Sequence, residues 1–108
     1  MKAHTKETQA AITSENALNL LKEGNSRFQN NTPLDRDLLG QVSDTSKGQY
    51  PFATILSCID SRVSSEIIFD QGIGDIFSAR VAGNFVNEDI YGVVLIINGL
   101  LQVAVAVV

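Results

Sequence analysis

An apolar run in mid-chain, Phe52-Ala53-Thr54-Ile55-Leu56, sits directly behind the turn residues Gly48-Gln49-Tyr50-Pro51 and directly ahead of Ser57-Cys58-Ile59-Asp60-Ser61-Arg62. A short apolar block bounded by turn signals reads as a buried strand, Phe52 to Ser57. Ser64 to Asp70 reads as one or two helical turns, with Ile67, Ile68 and Phe69 apolar, and Gly72 and Gly74 break it. Asp75-Ile76-Phe77-Ser78-Ala79-Arg80-Val81 then alternates as a second strand. Strand, short helix, strand predicts a parallel pair with a right-handed crossover. Functional residues in such sheets gather at the C-terminal strand ends, where Cys58 falls.

The flanks are less regular. Residues 1–13 are polar and predict a mobile or loosely helical arm. Ser14 with Glu15 marks a helix start. Ala17, Leu18, Leu21 and Phe28 recur near helical spacing, with Gly24 weakening that helix or ending it early. Asn30-Asn31-Thr32-Pro33 is a breaker cluster, and residues 34–50 are mixed and polar. Asn87-Glu88-Asp89 is a candidate helix cap. Gly92 to Val108 carries no charge, which makes residues 93–108 an atypical apolar segment. It falls just short of the roughly 18–20 apolar residues of a membrane span, and Asn98, Gly99 and Gln102 interrupt it. Three readings stand: a buried strand or helix first, an aggregation-prone end second, a membrane segment last.

At 108 residues the chain is a single domain, and an apolar fraction of 44% is that of a globular protein. A net charge of −4 with scattered Lys and Arg argues against nucleic acid as a partner. The one cysteine forms no internal disulfide, and Met1 to Thr8 has no apolar signal-peptide core. A reducing, cytoplasmic setting is the simplest expectation. If strand geometry continues to Arg62, then Cys58, Asp60 and Arg62 share one side at the strand's end. Thiolate, carboxylate and guanidinium together suit a metal or catalytic site. The plainer readings are an inert buried thiol and a structural ion pair.

The run Ile55-Leu56-Ser57-Cys58-Ile59-Asp60-Ser61-Arg62-Val63 resembles the zinc-site signature of β-class carbonic anhydrases. Glu66 to Phe77, Arg80-Val81-Ala82-Gly83-Asn84, Leu21 to Phe28 and Gly48 to Pro51 resemble further blocks of that family in the same order, over roughly Ala17 to Tyr91. The resemblance implies an α/β fold: an N-terminal helix, then a β-α-β parallel-sheet core. It implies zinc held by two cysteines and one histidine, with Cys58 as the first. Asp60 is implied either as a zinc ligand or as the partner of Arg62. In the second arrangement zinc keeps a water whose pKa falls towards ~7, and the resulting hydroxide hydrates carbon dioxide to bicarbonate. Asp60 would orient the hydroxide, and Arg62 would keep Asp60 ionised. Gln49, Phe77 and Ala82 match substrate-pocket positions. A homodimer or higher homo-oligomer is implied, with sites at subunit interfaces.

The same resemblance sets two expectations about what is missing. The family's other zinc ligands come from a His-x-x-Cys motif, whose histidine would fall just past residue 108. The only histidine here is His4, in the polar N-terminus, read as a surface residue. The segment before residue 108 lacks the charges of the family's amphipathic helix, so it is expected to be an unrelated apolar end on a truncated or altered domain. A crippled zinc site follows. The alternative function is a non-catalytic subunit that associates through its helix and apolar segments.

Overall fold

The computed structural model describes residues 3–101 and 104–107. In chain order it holds α1 (Lys6–Ala10), α2 (Ser14–Gln29), α3 (Leu38–Asp44), β1 (Ala53–Ser57), α4 (Ser65–Ile68), β2 (Ile76–Arg80), α5 (Glu88–Leu101) and β3 (Ala104–Val107). The three strands form one parallel sheet in the order β2-β1-β3. Ala53 pairs with Ile76 and Ser57 with Arg80, so β1 and β2 end level. The expected strand–helix–strand unit is therefore present.

β1 is the central strand, and all five of its residues are buried. A strand covered on both faces has no reason to alternate, which is why Ala53, Ile55 and Leu56 are apolar on both faces and the two polar residues, Thr54 and Ser57, are small and buried with them. Ala53 and Ile55 meet Ala17 and Leu21 of α2, with Phe52 and Ile76 completing the core. Ala17, Leu21 and Gly24 form the buried stripe of α2. Leu18 and Phe28, read at near-helical spacing, lie off that stripe and are exposed.

Gly24 does not end α2. The helix runs five residues past it, and a Cβ there would stand 1.7 Å from the Phe69 carbonyl oxygen. Glycine is the contact by which α2 approaches the end of α4. The true N-cap is Thr13, one residue before the predicted start, and its hydroxyl accepts from the Asn16 N–H.

α3 lies in the stretch whose mixed, polar composition predicts no regular element. Its cap, Asp37, accepts from the Gly40 N–H. Its apolar residues Leu38, Leu39 and Val42 face outward, while its buried residue is Gln41, which accepts the Ile73 N–H. A helix with leucines outside and glutamine inside inverts the pattern by which helices are read. The N-terminal arm holds α1, closed by a reciprocal Thr5–Thr8 capping box. Gln9 donates to the Pro51 carbonyl. His4 stacks its ring edge on Phe52, so it is not a free surface residue.

The apolar C-terminal stretch becomes α5 and β3, with Asn87 accepting the Ile90 N–H at the helix start. β3 pairs with β1 from Ala53↔Ala104 to Leu56↔Val107. The stretch expected to be an unrelated apolar end thus forms a helix and then a strand of the same parallel sheet. No helix among the described residues is long and apolar enough to cross a membrane.

Candidate metal-ligand loop

The strand does not carry on to Arg62. β1 stops at Ser57, and the chain bends and turns through Cys58-Ile59-Asp60-Ser61-Arg62. The predicted cluster forms by a different route. The Arg62 backbone N–H and Nε reach Asp60 Oδ1 at 2.8 and 3.0 Å, and Nη2 reaches Oδ2 at 2.6 Å. This two-pronged pairing closes a tight turn and needs no pleat. Of the two arrangements implied for Asp60, the geometry is the arginine-paired one.

Electrostatics at the pair follow from those contacts. The Arg62 side chain, and then its backbone N–H, hold the Asp60 carboxyl below the usual aspartate value. Asp60 in turn raises Arg62. Both groups are solvent-screened, so the pairing orients the carboxylate more than it stabilises the fold.

Cys58 lies just past β1, half-buried. The Gly83 N–H donates to its Sγ at 3.4 Å. That contact first, and then the N–H groups of Asp60 and Ile59, lower the thiol's pKa against partial burial and the Asp60 charge. Gly83 has φ +79°, a conformation side chains disfavour, and this backbone aims its N–H at the sulfur. Ala82 stands beside it and is exposed, next to the loop.

The other predicted pocket residues do not join them. Phe77 pairs with Thr54 in the first half of β2 and is half-buried. Gln49 lines a cleft with Thr45, Gly48, Ile73 and Gly74, at the opposite end of the sheet. β1 separates it from Cys58 by roughly 15 Å at ~3.3 Å per residue. A cavity of about 590 Å³ bounded by Phe28, Leu34, Leu38, Ile67 and Ile73 contains none of these residues in its wall.

The sequence reading gave no role to Arg80, which contacts the loop most extensively. Its Nε donates to the Cys58 carbonyl at 2.9 Å, and its Nη2 to those of Asp60 and Val63 at 2.6 and 2.7 Å. A signal was available: an arginine closing the second strand, level with the end of the first.

An open zinc site takes three protein ligands and a water. Among the described residues, no three His, Cys, Asp or Glu side chains lie close enough to hold a metal. His4 packs on Phe52, ahead of β1, at the sheet end away from Cys58. Cys58 and Asp60 are two donors, so the donor set of this chain does not by itself fit a complete zinc site.

A family model described as carbonic anhydrase matches residues 53–108. That match includes the apolar segment expected to be foreign. Carbonic anhydrase 2 of Mycobacterium tuberculosis (strain ATCC 25618 / H37Rv) is 44% identical over 73 residues, which are 67% of this chain and 35% of that protein. The carbonic anhydrase of Mycolicibacterium smegmatis is 40% identical over the same shares. The chain thus spans about a third of the length of these curated relatives. A solved structure described as that of the β-carbonic anhydrase CcaA superposes with a TM-score of 0.52 at 28% identity, over 81% of this chain and 44% of that one. With the parallel sheet and the Cys58–Arg62 loop, these matches establish that the chain belongs to the β-class carbonic anhydrase family.

Proposed function

We propose that this chain carries the first part of a carbon dioxide-hydrating zinc site, and that alone it binds zinc poorly and is inactive. The observation behind this reading is the loop after β1. There a thiol biased towards thiolate and a carboxylate fixed by Arg62 stand together, with no third donor near them among the described residues. Cys58 is the metal-ligating thiolate. Asp60, kept ionised by Arg62, is an acceptor for a proton of the nucleophile. Ala82 supplies apolar wall suited to a nonpolar gas. The purified chain is expected to hold well under one zinc per molecule and to hydrate carbon dioxide no faster than buffer. Stoichiometric zinc by elemental analysis together with carbon dioxide hydration overturns the inactive part of this reading.

A second reading, association with other copies, is favoured by two features. Ile59 in the loop, and Phe85, Val86 and Tyr91 in the stretch after β2, are all more than half exposed. Gln49, the matched pocket residue, lies too far away to serve its own chain's loop, so a second copy would supply it. Sedimentation is expected to give dimers or larger species at micromolar concentration. A monodisperse monomer at high concentration counts against this.

A further inference from the structure

The segment Cys58–Val63 leaves the sheet, and its carbonyls leave the ladder with it. The last ladder-like contact is the Val81 N–H to the Ser57 carbonyl. Beyond it, the carbonyls of Cys58, Asp60 and Val63 all turn towards one point, and Arg80 occupies that point with donor distances of 2.6–2.9 Å. Three converging carbonyl dipoles repel each other unless a cation sits between them. Charge-assisted bonds from one guanidinium satisfy all three at once. The planar fork matters as well as the charge. Nε serves one carbonyl while Nη2 serves two others, a spread that the single ammonium of lysine does not reproduce.

The same end of β2 makes a second attachment. Three residues after Arg80, the Gly83 N–H donates to Cys58 Sγ. The end of β2 and the turn after it therefore hold the loop from two sides, through its backbone carbonyls and through the Cys58 sulfur. We propose that Arg80 is a positioning residue that fixes the spacing of Cys58 and Asp60 by holding the backbone carbonyls of their loop. The proposal rests on the metal-site reading only for what the loop is for. The clasp is read without zinc and without activity, so the two ideas fail separately.

Two amides report on the loop: Arg62, which donates to Asp60 Oδ1, and Val63, which donates to the Asp60 carbonyl at 3.1 Å. Hydrogen exchange of the full chain is compared among wild type, Arg80→Lys and Arg80→Gln. Both variants are expected to speed exchange at Arg62 and Val63 by about tenfold or more, while the amides of β1 stay within about twofold. Lysine keeps the charge and loses the fork, so its failure to restore protection is the signature of positioning. Three results overturn the proposal: unchanged loop exchange in both variants, full protection with lysine, or β1 amides accelerating in step with the loop. The last is what a purely global loss of stability produces.

Discussion

Asp70→Asn is expected to destabilise the fold by about 3 kcal/mol, a large share of the ~5–15 kcal/mol that holds a domain of this kind together. Asp70 follows α4 and is buried, and it is the common partner of two arginines from distant parts of the chain. Arg27 of α2 reaches Oδ2 at 2.5 Å, and Arg36 reaches Oδ1 at 2.6 Å. Oδ2 also accepts the Leu34 N–H, and the Asp70 carbonyl accepts from both guanidinium groups. The Arg36 side chain is only 7% exposed, so loss of the carboxylate strands a buried cation. Asparagine is the informative replacement. Asp70 has φ 45°, a left-handed conformation that asparagine tolerates, so the variant removes charge with little added strain.

The acid dependence of stability checks the same site with a definite sign. Burial pushes the Asp70 carboxyl up. The Leu34 N–H, Arg27 and Arg36 outweigh it, and the net pKa lies below the usual value. A depressed folded pKa means stability that is present above the unfolded value of ~3.9 and lost as pH falls through the folded value. Denaturant unfolding of wild type and Asp70→Asn should therefore differ most near neutral pH and converge in acid. A constant gap from pH 7 to pH 3 rules out the carboxylate charge as the cause.

Gly24→Ala should destabilise by about 2 kcal/mol, although helix propensity alone favours alanine there by ~1 kcal/mol. The two effects oppose each other, and the contact distance decides. A new methyl would sit 1.7 Å from the Phe69 carbonyl oxygen and 2.7 Å from its carbon, both backbone atoms. A flexible side chain could move aside, but here α2 and the end of α4 must separate. That separation would also strain the Asn25 donation to the Ile68 carbonyl and the Arg27–Asp70 pair, one and three residues along. An unfolding midpoint equal to or above wild type refutes this account of why the helix carries a glycine.

These two sites show where sequence reading runs out. Gly24 reads as a helix weakener because local propensity is all that neighbouring residues reveal. Its reason lies 45 positions away, at Phe69. Nothing near Arg27 in sequence marks it for burial, and Asp70 reads as the end of a helical turn. Their pairing is invisible until the chain folds α2 across α4. α3 was missed for a related cause: its outward leucines and inward glutamine carry a pattern that only the neighbouring 70–75 segment explains.

Much was legible in order of appearance along the chain. The mainly apolar block at Phe52–Leu56 specified a buried strand, and only the sheet order made it the central one. The glycines and the alternating run after it pointed to a second strand, and the helical crossover between the two pointed to a parallel pair. The matched blocks around Cys58 specified the family. Tertiary structure decided what neighbours in sequence cannot: that β1 stops before Cys58, that Asp60 and Arg62 meet by a turn and not by strand alternation, and that Arg80 closes on their loop. It also decided that Gln49 and His4 lie at the other end of the sheet. The physical reason is range. Periodicity and propensity act within a few residues, whereas the partners of a carbonyl, a buried charge or a missing Cβ come from segments that only packing brings together.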